Sequence, residues 1–187
     1  MIWKKQLLAL EQHKEWDFAI EYMQSVITEH ANDVDAYLSM CYLLMNLLVE
    51  EEYDESKHDY YTDLCKKYFQ ESYARFHEDA EYLFFIAEIA YMSEWYFDIT
   101  VEDADKMRYK AMNLDPNNSV YTWYNYMHLN KNDPNDFKKL KNYVLMILSE
   151  DSPIKSVLNP KGSLGKCFFD MMSHWARRIL RELDEKK

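Results

Sequence analysis

An all-α fold is what this sequence predicts, on three observations. Glycine occurs twice and proline four times in 187 residues, too few turn-formers for the many short strands of a sandwich or barrel. Leu, Met, Ala, Glu and Lys, which lose little freedom in a helix, are abundant. Apolar residues recur three and four apart rather than alternately. At 48% hydrophobic content the chain can bury a substantial core, which predicts a single domain over residues 1–187 and excludes wholesale disorder.

The elements follow in order from this periodicity. After an N-terminal amphipathic stretch, residues 16–30 place Phe18, Ala19, Tyr22, Met23, Val26 and Ile27 on one helical face. Asn32-Asp33 interrupts, and the run to Glu50 is so broadly apolar that it should be buried on more than one side. An acidic insertion at about 50–59 precedes a fourth helix, with Tyr61, Leu64, Cys65, Tyr68, Phe69 and Tyr73 as its stripe. The apolar segment 78–97 reads as a fifth. Thr100 with Asp103 three residues later resembles a capping box and starts a sixth helix at about Val101, carrying Ala104, Met107, Ala111 and Leu114.

That helix must end at Asp115-Pro116, because proline has no amide hydrogen to donate and disfavours the α conformation in the residue before it. Asn117 and Asn118 can turn the chain and Ser119 can cap a successor, so helices are expected at about 119–131, 135–149 and 164–184. The connection 152–163 reads as looser. The last helix sets Phe168, Met172, Trp175, Ile179 and Leu183 on one stripe, with Arg177, Arg178 and Arg181 elsewhere.

An internal repeat underlies this order. Ala104, Ala111 and Pro116 stand at offsets 0, 7 and 12, and Lys110–Asn118, KAMNLDPNN, resembles the end-of-repeat signature of the tetratricopeptide repeat. Trp3, Leu7 and Leu10, followed by Ala19, Met23, Val26 and Ala31, resemble a whole unit of that family. Leu7 replaces the usual Gly, Ala31 replaces the closing Pro, and the second and third units are lengthened. The resemblance covers residues 1–48 and 100–124. It implies an array of about four antiparallel helical hairpins plus a C-terminal capping helix, with a concave face that grips another polypeptide.

Charge is distributed by region. Residues 50–103 hold 16 Asp or Glu against four basic residues, whereas residues 104–187 carry a formal +5 within a chain of net −11. A field of that sign repels nucleic acid and anionic lipid and attracts a basic protein; a solvated acidic face that keeps an aromatic-rich chain soluble is the alternative. The candidate contact residues are Glu50, Glu51, Glu52, Tyr53, Asp54 and Glu55, joined by Glu78, Asp79 and Glu81. Among the 16 tyrosines, Tyr53 is the one expected to be exposed.

Several chemistries find no footing in these residues. Gly162 and Gly165 cannot form a phosphate-cradling loop. Cys41, Cys65 and Cys167 are odd in number and never paired as Cys-x-x-Cys, which suggests reduced structural thiols, not a disulfide framework or a zinc site. The six histidines show no His-x-x-x-His. The expectation is a non-catalytic protein without metal or cofactor. The N-terminus lacks a small-residue cleavage site and no segment has the roughly 18 apolar residues of a span, so a cytoplasmic, non-membrane protein is expected.

With the family resemblance, this implies a protein-binding module. It is similar to the helical-repeat immunity proteins that neutralise basic, nuclease-type bacterial toxins of contact-dependent and other polymorphic systems. The alternative is similarity to the acidic cytoplasmic chaperones of secretion systems, which hold an extended effector or translocator segment.

Overall fold

A computed structural model describes residues 2–184, with the Asp184 side chain excluded, and contains helices but no strand among the described residues. The all-α expectation holds. The chain divides into two compact units, residues 1–115 and 116–187.

In the first unit, α1 (Ile2–Gln12), α2 (Trp16–Glu29), α3 (Val34–Glu50), α4 (His58–Phe76), α5 (Ala80–Tyr91), α6 (Glu94–Phe97) and α7 (Val101–Leu114) follow one another through short connections. Carboxylates and a hydroxyl start several of them. Asp33 accepts hydrogen bonds from the amides of Asp35 and Ala36, Asp79 accepts one from the Tyr82 amide, and Thr100 with Asp103 forms the expected reciprocal capping box. Each cap satisfies amides that the first helical turn leaves unpaired.

Neighbouring helices pack: α1 on α2, α2 on α3, α3 on both α4 and α5, and α5 on α7. Helices α3 and α5 form the centre, with Ala36–Met45 and Tyr82–Ala90 buried along every side, as the broadly apolar run in α3 predicts. Ala19, Ala104 and Ala111 are fully buried, where a small side chain permits close helix approach. On α2, however, Ile20 takes the buried place and Phe18 is 64% exposed. Tyr73 and Leu114 likewise end half in water, because their helices turn those positions away from the core.

The expected single helix over 78–97 is in fact two. The chain breaks at Met92-Ser93 and restarts as α6, which inserts Phe97 against Phe69 of α4, ring centroids 5.7 Å apart. Burying that phenylalanine outweighs continuing a straight helix. Asp98 then ends α6 in the left-handed conformation, φ 57°.

The second unit comprises α8 (Trp123–Met127), α9 (Pro134–Leu148), α10 (Pro153–Leu158), a single 3-10 turn (Asn159–Lys161) and α11 (Gly162–Asp184). The expected helix over 119–131 shrinks to the five residues of α8. The Asn118 side chain accepts from the Val120 amide, and the Tyr143 hydroxyl donates to the Ser119 carbonyl at 2.6 Å, so residues 118–122 are held as turns. The chain therefore reverses at Asp-Pro-Asn-Asn as the sequence predicts, but restarts late.

The connection 152–163 is more ordered than expected: Pro153 opens α10, whose Ile154 and Leu158 are fully buried. Gly162 takes φ +63° with ψ −135°, a region nearly closed to other residues. A Cβ at Gly165 would lie 1.9 Å from the Leu158 carbonyl oxygen, so glycine is required for α11 to rest on the preceding turn. The stripe Phe168, Met172, Trp175, Ile179 and Leu183 is buried as predicted, Trp175 meeting Trp123 edge to face at 4.6 Å.

Candidate partner-binding surface

The acidic insertion is built at the end of α3 and the start of α4. Glu50 closes α3, residues 51–54 form a connection, and Glu55–Lys57 make one 3-10 turn that runs straight into α4. Glu50, Glu52 and Glu55 are exposed. Glu51 is half-buried and accepts a hydrogen bond from Lys14 at 2.8 Å, a pairing that raises the lysine's pKa. Asp54 caps the 3-10 turn through the Ser56 amide, and bonding to Ser56 holds its carboxyl below the ordinary range.

Tyr53 departs from expectation. It is half-buried, with its hydroxyl 2.7 Å from His58 Nδ1 and its ring edge-on to Tyr61 at 5.7 Å. Partial burial pushes its phenol pKa up. Lys57 and the Tyr61 hydroxyl both donate to Asp17 on α2, and bonding to Lys57 first and Tyr61 second lowers the Asp17 pKa. The insertion is thus stitched to the α1–α2 connection, to α2 and to α4, and its outward carboxylates Glu50, Glu52 and Glu55 stand on a fixed frame.

The rings behind this frame are continuous. Trp95–Tyr96, Tyr96–His58, His58–Tyr53, Tyr53–Tyr61 and Tyr61–Tyr60 are successive contacts with centroids 5.5 to 6.2 Å apart. Sequence reasoning singled out Tyr53 and set Tyr61 on the stripe of α4, but gave no part to His58, Trp95 or Tyr96. Glu94-Trp95, an aromatic beside a carboxylate in a segment that otherwise reads as core, was the available signal.

The second predicted group lies at the start of α5. Glu78 is exposed and paired with Lys110 of α7, which depresses its pKa, while Asp79 is committed to capping. Glu81 is half-buried. Glu78 and Asp79 thus serve helix pairing and a helix start.

Two features were not anticipated. Phe69, Tyr73, Leu83, Ile99 and Met107 form the apolar lining of a cleft of about 280 Å³ between α4, α5 and α7, with Asp103, Lys106 and Lys110 completing it. Deeper, Arg108 of α7 is 2% exposed, donates to Glu88 of α5 and to Asp105, and has its guanidinium carbon 4.9 Å from the Tyr91 ring centre. Burial raises the Glu88 pKa against the pull of Arg108. A carboxylate inside the run LFFIAEIA was the sequence signal for this pair.

Cys41 and Cys65 are buried, and burial pushes the Cys41 thiol up to about 12 and the Cys65 thiol up as well, so neither offers a thiolate nucleophile. Cys167 is half-buried. Among the described residues no group of three His, Cys, Asp or Glu side chains is placed to hold a metal ion, and no helix is long and apolar enough to cross a membrane. No protein-family model, curated protein or solved structure matches the chain.

Proposed function

We propose that this protein is a non-catalytic binding module, a divergent tetratricopeptide-like array that neutralises a basic protein partner by covering its active surface. In this reading α1/α2, α3/α4 and α5/α7 are three successive hairpins, α8/α9 a foreshortened fourth, and α11 the closing helix. The packing of each pair, and of α3 on α5, supports it.

The observation that carries the proposal is the fixed acidic frame. Residues 1–115 hold 25 Asp or Glu against 10 Lys or Arg, and Glu50, Glu52 and Glu55 project from a turn anchored by ion pairs to Lys14 in the α1–α2 connection and to Asp17 on α2. A preorganised negative surface steers a cationic partner and loses little entropy on binding it. A toxin with a phosphate-binding cleft has that cationic character.

Co-expression with the product of the neighbouring gene tests the proposal. The expected result is that the neighbour kills alone, is silenced by this protein, and co-purifies in a complex that weakens with salt. Reversing Glu50, Glu52 and Glu55 to Lys should then lower the association rate at low salt by roughly tenfold or more. Unchanged binding by that variant would dismiss the frame as the contact.

The apolar cleft between α4, α5 and α7 favours a second reading, a cytoplasmic secretion chaperone holding an extended apolar segment. A neighbour that is harmless alone and soluble only when bound would select it.

A further inference from the structure

The ring run beside the acidic turn is open at both ends. Trp95 is 59% and Tyr60 is 50% exposed, whereas Trp3, Trp123 and Trp175 are buried. The four residues of α6 turn Phe97 into the core and Trp95 out of it. Tryptophan and tyrosine left half in water on a rigid support are the residues that dominate binding interfaces, since they bring large contact area with little rotamer entropy to lose.

The sequence around these rings is acidic. Glu52, Asp54, Glu55, Asp59, Glu94 and Asp98 flank them, and Lys57, the one cation within the turn, is already bound to Asp17. Aromatic faces bordered by carboxylates suit one chemistry above others. A guanidinium stacks flat on a ring while its fork of N–H groups donates to carboxylate oxygens; an ammonium offers a point charge and no plane.

We infer that the belt from Trp95 to Tyr60 is the docking site for an arginine-bearing segment of the partner, with its exposed end rings, Trp95 and Tyr60, receiving guanidinium groups and Glu52, Asp54 and Glu55 supplying the counter-charge. The inference rests on the proposed basic partner and adds which groups hold it. It also divides the labour: carboxylates act at a distance and set the association rate, whereas rings act in contact and set the lifetime of the complex.

Calorimetric titration of the full chain with octa-arginine and with octa-lysine, equal in charge, tests this. The parent should bind octa-arginine more tightly than octa-lysine. Trp95→Ala with Tyr60→Ala should weaken octa-arginine roughly tenfold, to the level of octa-lysine, and leave octa-lysine little changed. Glu52→Gln with Glu55→Gln should weaken both peptides alike and flatten their salt dependence.

Equal affinity of the parent for the two peptides, or no effect of the ring substitutions, overturns the docking site. Both rings lie on the surface, and an unaltered circular dichroism spectrum shows that the variant is folded. Failure here is separable from failure of the neutraliser reading. A toxic neighbour silenced equally by the ring variant removes the belt alone; arginine-selective binding without any toxic neighbour removes the neutraliser alone.

Discussion

Residues 1–115 and residues 116–187 solve the same packing problem with different materials. The first unit uses helices of 11 to 19 residues, α6 apart, around two helices buried on all sides, and carries 25 acidic against 10 basic residues. The second has two long helices, α9 and α11, with the short α8 before them and α10 with a 3-10 turn between them, and carries 8 acidic against 12 basic residues. The first is held chiefly by interior side chains that meet between helices; the second depends on a few positions where the backbone itself must take a particular shape. Sensitivity to substitution should differ accordingly.

The largest effect is expected at the buried ion pair of the first unit. Arg108→Met strands Glu88 in an apolar interior and should cost about 3–5 kcal/mol, while Arg108→Met combined with Glu88→Met should recover most of it. Urea denaturation of the three proteins measures this. A double variant as unstable as the single one would mean that the pair, not its isolated carboxylate, stabilises α5 against α7.

In the second unit the corresponding weak point is a glycine. Gly165→Ala sets a methyl group against the Leu158 carbonyl oxygen, which is backbone and cannot step aside, and should cost about 2–3 kcal/mol. Loss of the near-ultraviolet circular dichroism of the Trp123–Trp175 pair would report it. Gly165→Ala without effect would erase the contrast drawn between the units.

A smaller change of about 1 kcal/mol is expected for Thr100→Ala, which removes half of the capping box of α7. The same site has a pH signature. Bonding to Lys106 first, and to Thr100 next, holds Asp103 at about 2, below its ordinary 3.8. Because the folded value is the lower one, this group's stabilisation is full above pH ~4 and is lost as pH falls through 2. The stability difference between parent and Asp103→Asn should therefore narrow over that interval.

The smallest effect has the opposite sign. Asp98→Gly relieves a left-handed residue at the end of α6 and should stabilise by about 0.5 kcal/mol in thermal denaturation.

Legibility in the sequence follows the same division. Helices α2, α3, α4, α7, α9 and α11 could be read from their apolar spacing and the breaks between them, and Thr100 and Pro116 mark a start and a stop by local chemistry alone. What escaped depends on partners far along the chain. The break at Ser93 exists because Phe97 meets Phe69, and the late restart at Trp123 exists because Tyr143 reaches the Ser119 carbonyl. The acidic turn was legible as charge but not as a frame, since Lys14, Asp17 and Tyr61 lie outside it. Tyr53 was expected in water for its acidic neighbours, yet a single phenol-to-histidine bond turns it inward.

The cysteines carry a last consequence. Cys41 lies on α3 and Cys65 on α4, two helices of the first unit that pack together, and both thiols are sealed from solvent; Cys167, on α11, is half open. A thiol reagent should thus modify one site promptly and the other two only when the α3–α4 pair parts. The lag before the second and third equivalents react becomes a clock, and its rate counts how often that pair opens while the rest of the chain keeps its native form.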